Sequence, residues 1–183
     1  MGWVEGIISG LQMIELGIFI LLSILLLVFT LNRPHRHRFP RFFAFESFFA
    51  LVLLNAKSWF WDPLSPRQLV SWIFLASSLI LAIHGFWLLR MEGFPVGDIE
   101  DTTQLIRIGA FRYIRHPLYC SLLPGGIGAL LKAPSIPGFL LFTFVSVFVF
   151  VTAKVEEQDN IERFGDEYLA YMKTTKMFIP FVI

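Results

Sequence analysis

Long apolar runs separated by short polar breaks are the main feature of this sequence. The first run, residues 11–31, has an uncharged core and reaches the roughly 20 residues that a helix needs to cross a bilayer. The fourth run is short and contains Pro124 and three glycines, which indicate close helix packing. By itself it is also compatible with a re-entrant or protein-buried helix. We predict an all-α, polytopic membrane protein with about five transmembrane helices, at residues 11–31, 42–60, 69–89, 118–131 and 136–153.

The distribution of lysine and arginine predicts the orientation of these helices. Segments 32–41, 90–117 and 154–183 hold twelve of the fifteen Lys and Arg residues. Because positive charge concentrates in cytoplasmic segments, we expect the N-terminus outside and the C-terminus in the cytoplasm. The first run lacks a basic region and a cleavage site before it, so we predict a retained span rather than a signal peptide. The polar segments 90–117 and 154–183 then share the cytoplasmic side and can build one site.

Composition supports the membrane and excludes other classes. The 183 residues are 56% hydrophobic and only 16% charged, whereas soluble domains carry about 25% charged residues. A soluble protein of this size could not bury that much apolar surface, so the lipid bilayer is the predicted partner. The net charge of +1 gives no support to a nucleic-acid partner, and Cys120 is the only cysteine. We predict no metal site, and a single domain over residues 1–183.

A basic stretch with a His-Pro pair precedes the fourth apolar run. Proline is favoured at the first position of a helix, so we predict a helix that begins at Pro117 with His116 at its cap. The free backbone N–H groups of that first turn, with Arg115 beside them, would suit a carboxylate or a phosphate. The same stretch is also compatible with a basic juxtamembrane segment that contacts lipid headgroups.

A second polar stretch, residues 154–173, carries a helical stripe. The stripe residues recur at alternating i+4 and i+3 spacing, which is typical of one helix face; they are Glu157, Ile161, Phe164, Tyr168 and Tyr171. A carboxylate on a buried stripe needs a partner, because an unpaired buried charge is expensive. Alternatively, Glu157 reaches the membrane interface. Glu156 lies on the neighbouring face, where pairing with Asn160 or Arg163 would explain it without a functional role.

At these two stretches the sequence resembles the isoprenylcysteine carboxyl methyltransferase family and its phospholipid methyltransferase relatives. The first matching motif is Gly-x-Phe-Arg-Tyr-Ile-Arg-His-Pro-Leu-Tyr, which ends at Tyr119. It is followed by the pair Glu156 and Glu157, by Phe-Gly-Asp-Glu-Tyr ending at Tyr168, and by a late Ile-Pro pair. Order and spacing agree over about residues 100–183, whereas the first half matches only as hydrophobic spans.

The resemblance implies a methyltransferase that uses S-adenosylmethionine at the cytoplasmic membrane face. Its cofactor site would be built from the loop before the fourth helix and the C-terminal helix. Carried over by position, the cofactor contacts are Thr103, Gln104, Leu105, Ile106, Phe111, His116, Pro117, Leu118, Tyr119 and Glu156. Phe111 stands where relatives can have Tyr, so only a ring contact is carried over. The stripe favours Glu157 and the resemblance favours Glu156. We therefore predict Glu156 for cofactor contact and keep Glu157 as a catalytic candidate with His116 and Arg115.

One position departs from the family pattern. Members that methylate a prenylcysteine carboxylate resemble one another in having an Arg four residues before the first glutamate, and Thr152 stands there. Without that cation a carboxylate acceptor is less favoured, and an amine or thiol acceptor becomes an alternative. Either of these needs a proton acceptor, for which His116 and Glu157 are the candidates.

The predicted function is methyl transfer from S-adenosylmethionine to a lipophilic or lipid-anchored acceptor. A prenylcysteine carboxylate is one acceptor, and a phospholipid amine or a thiol is the alternative. A second class is an NADPH-dependent enzyme like the membrane sterol reductases, which resemble this chain in an Arg-x-Pro-x-Tyr turn. The paired glutamates and the Phe-Gly-Asp-Glu-Tyr motif argue against that class. A non-catalytic membrane scaffold is the third. Cofactor binding separates the first two, and turnover excludes the third.

Overall fold

The architecture is helical throughout the part of the chain that the computed structural model describes. These residues are 2–31, 36, 38–97 and 99–180, with the backbone alone for residues 2–12. They form seven α-helices and no β-strand, which confirms the all-α prediction. The helices are α1 Gly2–Leu31, α2 Arg38–Leu54, α3 Pro66–Glu92, α4 Pro117–Cys120, α5 Leu122–Lys132, α6 Ile136–Phe164 and α7 Asp166–Thr174. Two short 3₁₀ helices, Ala56–Ser58 and Gly109–Arg112, lie in the connections.

Three helices of the described chain are long and apolar enough to cross a bilayer: Met13–Leu31, Pro66–Glu92 and Ile136–Phe164. They contain nearly all of the first, third and fifth predicted spans and show an integral membrane protein. The second and fourth predicted spans correspond to α2 and α5, which have 17 and 11 residues and are short for a bilayer crossing. The count of five spans therefore remains a prediction.

One predicted boundary differs from the observed helix. The second span was expected to reach residue 60, but α2 ends at Leu54, and the side chain of Asn55 turns back to donate to the Ala129 carbonyl at 2.8 Å. The fifth predicted span, residues 136–153, lies within α6, which continues for three more turns to Phe164. This extension carries Glu156 and Glu157 on a helix, as their place in the helical stripe predicts.

The glycines of α5 let it pack closely between its neighbours. A Cβ atom added to Gly126 would lie 2.7 Å from the Phe142 ring of α6. One added to Gly128 would lie 2.8 Å from Leu75 Cγ and 3.0 Å from the Ser71 carbonyl oxygen, both on α3. Such distances leave no room for a side chain, so the interpretation of these glycines as packing positions is confirmed.

A buried lysine closes the end of the bundle where α3 begins. Lys132 is 0% exposed, and its ammonium lies 2.9 Å from Gln68 Oε1 and 3.4 Å from the centre of the Trp72 ring. An aromatic face attracts a cation and partly replaces its lost hydration. Gln68 lies in the first turn of α3, whereas Leu89 lies in its last turn, roughly 30 Å away at 1.5 Å per residue. The cleft described next is at the Leu89 end.

Candidate functional site

Polar segments from three parts of the chain meet at the end of the bundle where α3 finishes. Arg36 lies 2.7 Å from Glu162 of α6, and Arg41 of α2 lies 2.5 Å from Glu100 of the long loop. Arg163 of α6 binds the same loop through Asp101 and the Glu100 carbonyl, at 2.5 and 3.0 Å. Within the described residues, segments 90–117 and 154–183 thus lie together at one end of the bundle, and their predicted placement on the cytoplasmic side stays a prediction.

The loop before α4 takes its shape from a glycine and a proline. Gly109 has φ +57°, and a Cβ atom there would lie 2.6 Å from His84 Nε2. Only glycine adopts this conformation without strain and leaves space for the imidazole, which accepts from the Ala110 N–H at 3.3 Å. Pro117 is the first residue of α4 and His116 is its N-cap, as predicted. However, α4 is a single turn, so its helix dipole is small.

Just before the His-Pro pair, the loop forms one isolated β-bridge with the segment after α7. Ile114 pairs with Lys176, with bonds from the Arg115 N–H to the Lys176 carbonyl at 2.8 Å and from the Lys176 N–H to the Tyr113 carbonyl at 3.1 Å. The Tyr171 hydroxyl donates to the Phe111 carbonyl at 2.6 Å. The segment after α7 thus takes the place of a neighbouring strand and holds the loop against the bundle.

The stripe predicted as one helical face is divided between two helices. α6 ends at Phe164, Gly165 has φ +56° and ψ −132°, and α7 begins at Asp166. These angles favour glycine and redirect the chain. Tyr168 and Tyr171 are nonetheless buried on the same side as Phe164, because the turn at Gly165 folds α7 back over the loop.

Glu157 is buried and paired, as a carboxylate on a buried stripe requires. Its side chain is 2% exposed, and Oε1 accepts from Arg115 Nε at 2.7 Å. Lys154 lies 3.3 Å from the other carboxylate oxygen. Arg115 also donates to the Thr175 carbonyl at 2.6 Å. Glu157 and Arg115 therefore join α6, the loop and the segment after α7.

His116 lies between the two glutamates. Its Nδ1 is 3.7 Å from Glu156 Oε1 and its Nε2 is 3.7 Å from Glu157 Oε1, both longer than a hydrogen bond. The imidazole is 2% exposed, and Nε2 has no hydrogen-bond partner within the described residues. A buried nitrogen without a partner is rare in proteins and indicates a ligand or a water at this position.

These elements enclose a cleft of two adjoining cavities, with volumes of about 380 and 250 Å³ that include open solvent. The two share Leu89, Glu100, Phe111, Arg115 and Glu156. The first is completed by Thr102, Leu105, Ile106, Asn160, Phe164, Tyr168 and Tyr171. The second is completed by His116, Pro117, Leu118 and Tyr119.

Most residues predicted for the site line this cleft. From the long loop these are Leu105, Ile106 and Phe111, from the turn they are His116, Pro117, Leu118 and Tyr119, and from α6 it is Glu156. Thr103 and Gln104 do not line it, because their side chains are exposed; the Thr103 hydroxyl bonds the Phe94 carbonyl at 3.1 Å. Glu157 lies behind the cleft wall, since it does not line either cavity.

Several cleft residues were not predicted as site residues. Phe164, Tyr168 and Tyr171 were visible only as an aromatic stripe, whose position over a cleft depends on the turn at Gly165. Glu100 gave no signal, because it lies in an irregular loop and its contact with Arg41 joins residues 59 positions apart. Burial, together with the nearby charges of Glu156 and Glu157, raises the pKa of Tyr168 well above its ordinary value, so this phenol stays protonated.

Comparison with known sequences places the chain in a family. A profile described as phospholipid methyltransferase matches residues 66–167, more than half of the sequence. The chain belongs to the phospholipid methyltransferase family. The match begins at α3 and includes the long loop, the His-Pro-x-Tyr turn and α6, so most of the cleft comes from the family's own region. α1 and α2 lie outside the match. The family predicted from the sequence is thereby confirmed.

The curated relatives of this family member are named either as methanethiol S-methyltransferases or as protein-S-isoprenylcysteine O-methyltransferases. The chain is 40% identical over 152 residues to methanethiol S-methyltransferase 1 of Bradyrhizobium diazoefficiens, covering 72% of this chain and 52% of that protein. It is 27% identical to methanethiol S-methyltransferase of Pseudomonas deceptionensis, covering 70% and 55%. It is 28% identical to protein-S-isoprenylcysteine O-methyltransferase of Rattus norvegicus, covering 67% and 45%. The chain spans about half the length of these relatives. No solved structure matches it significantly.

Proposed function

We propose that this protein transfers a methyl group from S-adenosylmethionine to a lipophilic thiol at the membrane surface. The observation that carries the proposal is a cleft that joins Glu156 and the His-Pro-x-Tyr turn at the end of apolar helices. Relatives named as methyltransferases support the reaction class. The bilayer beside the cleft favours an acceptor that is apolar apart from its reacting atom.

The cleft residues fit the methyl donor chemically. Phe111, Phe164 and Tyr168 offer aromatic surfaces for a flat base, and Glu156 offers a carboxylate for an ammonium group. S-adenosylmethionine, when bound, supplies a methyl group activated by a sulfonium. Transfer of that methyl is an in-line displacement, so orientation is the main requirement on the protein.

The acceptor is assigned as a thiol because the position of the family's substrate arginine holds Thr152. This side chain is 0% exposed, and its hydroxyl donates to the Phe148 carbonyl of its own helix at 2.6 Å. Lys154 points elsewhere, toward Glu157. Position 152 thus offers no cation to a carboxylate. The name of the 40% identical relative, methanethiol S-methyltransferase 1, supports the same assignment.

A thiol must lose its proton to react, since the thiolate is the nucleophile. We place that role on His116, because the residue lines the cleft and its imidazole lies between the Glu156 and Glu157 carboxylates, 3.7 Å from each. Arg115 and Glu157, predicted as catalytic, are proposed instead as positioning residues. Their ion pair at 2.7 Å fixes the loop that carries His116, and Arg115 also forms part of the cleft wall.

The first test is binding and turnover with the protein purified in detergent. We expect saturable S-adenosylmethionine binding by calorimetry, weakened about tenfold or more by Glu156→Gln, because the variant loses a charge-assisted hydrogen bond. We expect labelled methyl transfer to an alkyl thiol, and little transfer to a prenylcysteine carboxylate or a phospholipid amine. Glu162 is an exposed glutamate of the same helix, so Glu162→Gln is the matched control. It should bind S-adenosylmethionine like the wild type. Binding of NADPH in place of S-adenosylmethionine would contradict the proposal, and binding without turnover on any acceptor would favour a scaffold.

We also propose that the cleft faces the cytoplasm. The support is the placement of twelve of the fifteen Lys and Arg residues in the segments that border it. In a Cys120→Ala background, Lys173→Cys and Arg67→Cys place a thiol at exposed positions of α7 and of the first turn of α3. A membrane-impermeant maleimide should label Arg67→Cys on intact cells, and Lys173→Cys only after lysis. The reverse pattern would place the cleft outside.

A further inference from the structure

Glu100 is a second carboxylate in the cleft, in addition to Glu156, which the family resemblance assigns to cofactor contact. It lines both cavities together with Glu156, yet it lies on the long loop rather than on α6. Its side chain is only 10% exposed. A carboxylate this buried requires partners that keep it charged.

Two donors from different helices hold the Glu100 carboxylate. Arg41 Nη1 of α2 donates to Oε2 at 2.5 Å, and the Tyr119 hydroxyl of α4 donates to Oε1 at 2.8 Å. The Arg41 side chain is 9% exposed. Arginine stays protonated at any ordinary pH, so Arg41 offers the Glu100 carboxylate a fixed positive charge.

Arg41 stands behind Glu100 rather than in the cleft, because it lines neither cavity. Its Nη2 is buried and has no hydrogen-bond partner within the described residues. Buried ion pairs add little net stability compared with apolar packing, so the fold itself does not require Arg41 and Glu100. Glu100 lies at the cavity wall with Arg41 behind it, which suggests a role of the pair in recognition.

We infer that Glu100 binds a positively charged group of the methyl donor, with Arg41 as the residue that positions it. This inference rests on the proposed function. S-adenosylmethionine has two cationic groups, an ammonium and a sulfonium, and two carboxylates among the described residues line the cleft, Glu100 and Glu156. Arg41 lies outside the part of the chain that the family profile matches. α2 therefore contributes to the site although its sequence carries no family motif.

The test measures the binding of three ligands to two detergent-purified proteins, the wild type and the Glu100→Gln variant. S-adenosylmethionine carries both charged groups, S-adenosylhomocysteine keeps the ammonium and lacks the sulfonium, and 5′-methylthioadenosine lacks both. We expect Glu100→Gln to weaken S-adenosylmethionine binding about tenfold or more, as for a hydrogen bond to a charged group, and to leave 5′-methylthioadenosine unchanged. An equal loss for S-adenosylhomocysteine would identify the ammonium as the partner, and no loss for it would identify the sulfonium.

A second variant keeps the test valid if the single substitution impairs folding. Glu100→Gln with Arg41→Met removes both charges together, so it leaves no buried guanidinium uncompensated. It should show the same pattern across the three ligands, with a monodisperse sample as the check on folding. The single variant Arg41→Met should lower the affinity for S-adenosylmethionine. Arg41→Lys, which keeps the charge, should retain most of that affinity.

Two results would overturn the inference while the proposed function stands. One is unchanged S-adenosylmethionine binding in both variants, and the other is an equal loss for all three ligands, which would mean a distorted cleft. A wild-type protein that binds none of the three would overturn the proposed function, and this inference with it.

Discussion

Replacement of His116 by glutamine is expected to lower kcat with a thiol acceptor by about 100-fold or more. The reason is the loss of the group that takes the thiol proton, since a positioned general base contributes roughly 10²–10⁴ in rate. Affinity for S-adenosylmethionine should fall by less, about tenfold at most, because Glu156 and the aromatic wall remain. The measurement is steady-state turnover beside calorimetric binding on the same samples.

His84→Gln is the matched control for this prediction. His84 accepts a backbone N–H at 3.3 Å and does not line the cleft, so kcat should stay within about threefold of the wild type. A His116→Gln enzyme with normal kcat and weakened binding would show that the imidazole only contacts the cofactor. The acceptor would then be one that needs no deprotonation, such as a carboxylate.

Arg115→Met is expected to have the largest effect on stability. It leaves Glu157 buried without its shortest partner, and breaking a buried pair costs about 3–5 kcal/mol. Lys154 at 3.3 Å partly compensates, so we expect a loss near 3 kcal/mol. For a chain of this size that loss corresponds to a fall in Tm of roughly 6–12 °C. Thermal unfolding in detergent is the measurement.

Arg107→Met tests whether burial is the cause. Arg107 also pairs with a glutamate, Glu167, at 3.0 Å, but the two side chains are 47% and 61% exposed. An exposed pair contributes at most about 1 kcal/mol, so its Tm should change little. The double variant Arg115→Met with Glu157→Leu should recover part of the stability, since it removes both charges. Equal effects at Arg107 and Arg115 would contradict the assignment of a buried positioning pair.

The buried carboxylate on α6 shows where pattern reasoning succeeded and where it stopped. Helical spacing placed Glu157 on the buried face and required a partner for it, and the structure supplies Arg115. The same spacing also made Glu157 the favoured site residue, whereas Glu156 is the one that lines the cleft. Periodicity identifies the face that packs against neighbours, but a cleft is a gap in that packing, and its position depends on the neighbouring loop.

The sequence by itself determined the membrane class, the long helices and the family, because each depends on local chemistry. Runs of apolar residues must form helices in lipid, since every backbone polar group must be satisfied within the chain. The His-Pro-x-Tyr turn and the paired glutamates are likewise contiguous motifs. Only the tertiary structure decided that α2 brings Arg41 to Glu100 and that Gly165 folds α7 over the cleft. These contacts join residues that are distant in the chain, so their energies depend on the complete packing of the bundle. No repeated spacing of residues in the sequence predicts them.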